Sequence, residues 1–301
     1  LDPGDVVLTG APSYLGALQV FDAFGAQVES VPLDAQGIRV DLLEEKLQKL
    51  SEEGRLPKFM YLVPTFQNPS GVTLPLERRR KIYELTCKHD LLLVEDNPYG
   101  FLRYDGEDVP LIKTLDTEER VVFLGSFSKI LVPGFRLAWM AGPEAIVNKC
   151  VLAKQTQDLC SNTFGQYCIF EAMYKNVLFP HIQEIKRIYK GKRDTMLDAM
   201  KEHFPERVHW NHPEGGLFVW VVLPPFLDAR DMFSKAIAND VAYVCGNSFF
   251  PNGGGHNTMR LNFSHASDEM IEEGIRRLAR VIRDEIEEKE KTLEDELIGG
   301  F

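Results

Sequence analysis

The stretch Leu91-Leu92-Leu93-Val94-Glu95-Asp96-Asn97-Pro98-Tyr99-Gly100 sets the reading of the whole chain. Four apolar residues run straight into two carboxylates, and a Pro/Gly turn carrying a Tyr follows. An apolar run this short, closed by turn residues, is the pattern of a strand buried on both faces of a parallel sheet. A carboxylate at its end is half buried, and burial without a partner is costly, so Asp96 wants a cation. The same pattern recurs at residues 6–9, 27–31, 59–63, 121–124 and 137–141, each run ended by Gly, Pro, Asn or Ser. Helical periodicity lies between them at residues 42–50 and 76–89, the latter with Pro75 near its start. The alternation predicts βαβ units and an α/β fold with a mainly parallel sheet.

Further on, residues 143–176 read as helical, with Pro143 at their opening, and a charged amphipathic stretch over 179–204 reads as the connection to a second domain. Trp210 and residues 216–223, 243–245 and 260–263 look like strands of a smaller α+β domain. Residues 269–291 close it as a helix, with Ile271, Ile275, Leu278 and Ile282 at helical spacing. Residues 284–296 read as a solvated, charged helix end.

The 301 residues are 44% hydrophobic, enough for a large core, and carry a net charge of -11. That charge argues against a general nucleic-acid partner and favours a cytoplasmic protein. No run approaches the ~18 apolar residues of a membrane span. Five cysteines without a CxxC pair read as reduced core thiols, not as a zinc site or disulfide frame. The sequon at Asn262 reads as a chance match.

In an open parallel sheet, ligands bind beyond the carboxyl ends of the strands. The residues just after the runs above are Tyr14, the Asn68-Pro69-Ser70-Gly71 turn, Asp96 with Tyr99, and Ser126 to Lys129. Small hydroxyls and free amides in Gly125-Ser126-Phe127-Ser128-Lys129 can cradle a phosphate. Lys129 beside them is a phosphate contact, an amine nucleophile or an ordinary surface lysine. Arg136 suits bidentate phosphate binding or a structural ion pair, entering the sheet edge just before an apolar strand. Asp96 can pair with a protonated ring nitrogen. The Tyr99 phenol can donate to a ligand oxygen or simply fill core. Asn68 can donate to a ring hydroxyl or only shape its turn. Tyr14 can stack on a flat ring or pack generically. Arg260, in a strand of the second domain, needs an anion: a substrate carboxylate or an internal acid.

In order and with these spacings, the motifs Asn68-Pro-x-Gly71, Glu95-Asp-x-x-Tyr-Gly100, Ser126-Phe-Ser-Lys129, Pro133-Gly-x-Arg-Leu-x-Trp139 and Met259-Arg-Leu-x-Phe263 resemble the class I/II aminotransferases of fold type I. The resemblance is nearest to the branch with 2-aminoadipate and kynurenine aminotransferases, and covers essentially the whole chain. It implies a three-layer αβα large domain over residues 1–182 and a smaller α+β domain over 183–301. It implies pyridoxal 5'-phosphate as cofactor, held covalently by Lys129. Ser126, Ser128 and Arg136 are then the phosphate ligands and Asp96 the partner of the pyridine nitrogen. Asn68 and Tyr99 bond the ring oxygen, Tyr14 stacks on the ring, and Arg260, with Asn68, binds the substrate. The implied reaction moves an amino group from an amino acid to a 2-oxo acid in ping-pong order, in a homodimer with no metal.

The chain begins Leu1-Asp2-Pro3-Gly4-Asp5, without Met and directly ahead of a core strand. The resemblance therefore implies that a phosphate loop, a strand and a helix of the family fold lie upstream of residue 1. Two other readings use the same scaffold: the effector-binding half of a MocR-type transcription regulator, with a winged-helix domain upstream, and a related lyase or decarboxylase.

Overall fold

The computed structural model describes residues 1–299, with side chains through residue 292. The first half of the chain comprises β1 (Val6–Ala11), α1 (Leu15–Ala23), β2 (Gln27–Asp34), β3 (Gly37–Ile38), α2 (Val40–Glu52), β4 (Phe59–Leu62), α3 (Leu76–Lys88), β5 (Leu92–Asp96), β6 (Val121–Ser126) and β7 (Ala138–Ala141). The strands form one seven-stranded sheet in the order β3-β2-β1-β4-β5-β6-β7. The five central strands are parallel, and β3 and β7 pair antiparallel at the two edges.

Side chains alternate across a strand, so each central strand feeds two cores. Val7 and Tyr61 pack on one face with Leu18 and Phe21 of α1. Their sequence neighbours Leu8, Met60 and Leu62 pack on the other with Leu43 and Leu47 of α2 and Ile82 and Leu85 of α3. Helices thus cover both faces, which is the expected three-layer arrangement. Because β1, β4, β5 and β6 run the same way, Ala11, Leu62, Asp96 and Ser126 all finish at one edge.

The second half contains α4 (Glu144–Gln157), α5 (Thr163–Tyr174), α6 (Leu178–His203), β8 (His209–Trp210), β9 (Phe218–Val222), α7 (Ala229–Ala238), β10 (Val244–Cys245), β11 (Thr258–Asn262) and α8 (Asp268–Gly299). A four-stranded antiparallel sheet, β10-β11-β9-β8, sets Val219, Val221, Met259 and Leu261 against Met196 and Met200 of α6. Ile275, Leu278 and Ile282 of α8 close that core, at ~1.5–3 kcal/mol per buried side chain. Helix α6 serves both units: Leu178 and Ile182 lie in the first core, Met196 to Met200 in the second.

Several expectations need correction. Strand β7 is largely exposed, because it lies at the sheet edge, and so it is not buried on both faces. Residues 143–176 are helical as expected, but the stretch is broken at residues 158–162 into α4 and α5. Leu159 adopts φ 63°, and the Asn162 side chain accepts the Gly165 amide at 3.2 Å, capping a new helix. The cysteines are not core thiols: Cys150 and Cys160 are exposed and the other three half-buried. The start of the supposedly solvated end of α8 is partly core. Ile286 is buried, and buried Glu285 pairs with Lys235 of α7. The side chains of residues 293–296 lie outside the described residues. Helices α1 and α7 are additions, as their short length offers few turns of periodicity. Among the described residues, no helix is long and apolar enough to cross a membrane.

Candidate active site

A cavity of about 500 Å³ opens where the carboxyl edge of the large sheet meets the second sheet. Tyr14, Asn68, Asp96, Tyr99, Ser126, Ser128, Lys129, Arg136 and Arg260 all line it, so every candidate singled out in the sequence reaches one space. Its size is in the range of small-molecule sites.

Each wall has a local cause. Tyr14 caps the start of α1 and is 39% exposed. Its ring lies back over Gly16, where any Cβ would meet the phenol at 2.6 Å. Asn68 and Tyr99 are buried, with the amide nitrogen of Asn68 3.5 Å from the Tyr99 hydroxyl. Asp96 ends β5, and its Oδ2 accepts the Tyr61 hydroxyl at 2.6 Å. Ser126 ends β6, and its Oγ accepts the Ser128 amide at 3.1 Å, which folds the Ser-Phe-Ser turn; both serines line the cavity with Lys129. Arg136 lines the cavity from the turn just before β7. At φ 53° it is exposed, and its Nη1 turns back to the Pro133 carbonyl at 3.2 Å. Arg260 of β11 donates to the Asn68 Oδ1 at 2.8 Å, and its guanidinium lies 4.1 Å over the Phe218 ring and 5.2 Å from that of Phe249.

The electrostatics are unbalanced. Burial raises the Asp96 carboxyl above its ordinary range, against the lowering effect of the Tyr61 hydrogen bond. Burial lowers the Lys129 ammonium, and the positive charges of Arg136 and Arg260 lower it further. Burial also lowers Arg260, whose Nε has no hydrogen-bond partner among the described residues. Among the described residues, none of Asp96, Lys129, Arg136 and Arg260 has an ion-pair partner, and the only carboxylate lining the cavity is Asp96. The internal-acid alternative for Arg260 therefore finds no acid here. Three cations and one anion facing one space suit a ligand that brings complementary charges.

Four supporting residues escaped the sequence reading. Tyr61, inside an apolar run, looked like core. Gln67 donates to the Pro12 carbonyl at 2.9 Å and accepts the Ser70 amide at 2.7 Å, tying the Tyr14 loop to the Asn68 turn. Arg79 and Glu95 are fully buried. Arg79 donates to the carbonyls of Leu74, Pro64 and Pro110 at 2.9, 3.1 and 3.1 Å and to Thr65 Oγ1 at 2.8 Å. Glu95 accepts the amides of Ile112 and Lys113 at 2.9 and 2.7 Å, and its carboxylate lies 3.9 Å from Arg79. Burial lowers Arg79 to about 10 and raises Glu95. The Glu95-Asp96 pair carried a signal: side chains alternate, so one acid faces the cavity edge and the other the interior.

This architecture and cavity define a class: the chain belongs to the family described as Aminotransferase class I and II, whose sequence profile matches residues 1–278. Aromatic-amino-acid aminotransferase 1 of Thermococcus litoralis is 49% identical over 286 residues, 95% of this chain and 69% of that protein. The 2-aminoadipate transaminase of Thermus thermophilus is 39% identical over 94% of this chain and 70% of its own length. In structure, the kynurenine aminotransferase of Pyrococcus horikoshii, solved with PMP and with kynurenine as substrate, superposes with a TM-score of 0.93 at 48% identity, covering 95% of this chain and 70% of that one.

Proposed function

We propose that this aminotransferase takes pyridoxal 5'-phosphate and an α-amino acid together in the cavity beyond β5 and β6. It then passes the amino group to a 2-oxo acid in ping-pong order. The observation that carries this is the uncompensated charge set: Lys129, Arg136, Arg260 and Asp96 face one space with no ion-pair partner among the described residues. The residues present fit the group. A phosphate answers Arg136 and the Ser126 and Ser128 hydroxyls. A protonated ring nitrogen answers Asp96, and a substrate carboxylate answers the unpaired Nε edge of Arg260.

When bound, the cofactor supplies an electron sink for negative charge on the substrate Cα. Lys129 would hold it covalently, and its Nζ, when free, would take up and return the Cα proton of the substrate as general base and acid. Burial and the charges of Arg136 and Arg260 shift that amine toward its neutral, basic form. Tyr14 stacks on the ring. Asn68 and Tyr99 position the ring oxygen, and Asn68 also braces Arg260. Residues 1–182 form the cofactor-binding unit and 183–301 the second unit. Phe164, Tyr167, Phe170 and Tyr174 put an exposed aromatic stripe along α5, and such a patch supports assembly as a homodimer. The acidic composition supports a cytoplasmic location.

The test is Lys129→Ala. The variant should lose the absorbance of lysine-bound cofactor, and its turnover should fall at least roughly 100- to 10,000-fold. Transamination at the parent rate would remove Lys129 from the reaction.

A further inference from the structure

We propose that Tyr61 is a positioning residue for Asp96: its phenol holds one oxygen of the carboxylate and leaves the other for the cation of a bound cofactor ring. This inference rests on the function proposed above for Asp96. It starts from geometry. Tyr61 sits on β4 and Asp96 ends the neighbouring strand β5, where the parallel register pairs Tyr61 with Val94. Val94 and Asp96 are two residues apart and share a face, so the Tyr61 side chain points toward Asp96 from the same side of the sheet. Its hydroxyl donates to Asp96 Oδ2 at 2.6 Å, the short distance of a hydrogen bond to a charged acceptor.

The tyrosine is itself held in place. It is 5% exposed, Phe21 meets its ring edge-on at 5.7 Å, and its carbonyl accepts the Thr9 hydroxyl at 2.9 Å. Burial and the nearby Asp96 charge push the phenol well above its ordinary range, so the proton stays on Tyr61 and the direction of donation is fixed. Among the described residues, no other side chain or amide donates to this carboxylate. The other titratable groups around it are Tyr14, Tyr99, Lys129, Arg136 and Arg260, each from a different wall and none bonded to it. Among the described residues, Tyr61 thus offers the one interaction that offsets desolvation of Asp96 and favours its anionic form. An anionic Asp96 favours a protonated ring nitrogen, whereas a neutral acid leaves that nitrogen without its counter-charge.

The experiment compares the parent chain, Tyr61→Phe, Asp96→Asn and the double variant. The readouts are pyridoxal 5'-phosphate affinity by fluorescence, absorbance of the bound cofactor across pH, and kcat across pH. Loss of a hydrogen bond to a charged group should weaken cofactor binding roughly 10- to 100-fold and move the acid limb of both profiles up by about one to two pH units. Because Tyr61 acts through Asp96, the double variant should match Asp96→Asn alone. Unmoved pH profiles in Tyr61→Phe, or a further loss when it is added to Asp96→Asn, would overturn the inference. Circular dichroism and a melting curve verify that Tyr61→Phe folds. If it does not, Tyr61→Phe in the Asp96→Asn background decides: recovery of folding there supports the coupling, and continued failure overturns it. If Asp96→Asn by itself leaves cofactor affinity and spectrum as in the parent, the assigned role of Asp96 falls and this inference falls with it. If Asp96→Asn has its effect and Tyr61→Phe has none, only the inference falls.

Discussion

Arg260 shows how one residue ties the site together. Its guanidinium is clamped between Phe218 and Phe249 and braced by Asn68, yet its Nε is left without a partner. A half-buried arginine in that state is poised for an anion, and the α-carboxylate of an amino acid has the matching planar geometry. Arg260→Ala should raise KM for amino acids in general by about 10- to 100-fold, the worth of a hydrogen-bonded charge pair. An unchanged KM across a panel of amino donors would remove the carboxylate role. The nine site residues could be named from the sequence because each lies in a compact motif: seven after an apolar run, Arg136 just before one and Arg260 within one. Tyr61 could not, because a tyrosine within such a run looks like core until a neighbouring strand brings Asp96 to its hydroxyl.

Among the elements, β6 needs its entry held as firmly as its exit, since Ser126 ends it. Asp116 holds the entry. It accepts the amides of Arg120 and Val121 at 3.0 Å each and the Lys113 ammonium at 2.8 Å, and its side chain is only 1% exposed. Burial alone would raise this carboxyl, but Lys113 and the two amides outweigh it and hold it at about 2. A depressed folded-state value stabilises the native state above the unfolded-state value of 3.8, and the contribution is lost as pH falls toward 2. Asp116→Asn should therefore cost about 2 kcal/mol at pH 7. The cost should shrink at pH 3, which urea denaturation at the two pH values would measure. An equal cost at both would rule out the charge as the cause. The elements themselves were legible where an apolar run or an amphipathic helix was long enough to show its period. The break between α4 and α5 was not, because it depends on one capping asparagine and one left-handed leucine.

Across the whole molecule, the two sheets meet at the Asn68 turn. Asn211 donates to the Ser70 carbonyl at 2.7 Å, and a Cβ at Gly71 would sit 3.0 Å from the Phe218 carbonyl and 2.8 Å from the Asn211 amide. Gly71 also has φ +68°, where side chains strain the backbone. Gly71→Ala should thus act at the junction of the units. It should destabilise by about 1–3 kcal/mol and raise KM by moving Asn68 away from Arg260. A melting temperature and KM both equal to the parent's would show that the junction tolerates a Cβ.

The sequence by itself determined the alternation of strands and helices, the mainly parallel sheet, and the set of polar residues at the strand ends. These follow from local periodicity and from the direction of parallel strands, both written in short segments. Only the tertiary structure decided which side chains support the site. The Tyr61 contact to Asp96 spans 35 residues, and the Arg260 contact to Asn68 spans 192. The buried Arg79 and Glu95 likewise meet only when α3 packs on β5. Such pairings depend on strand register and on how two units close, and no local run of residues encodes either one.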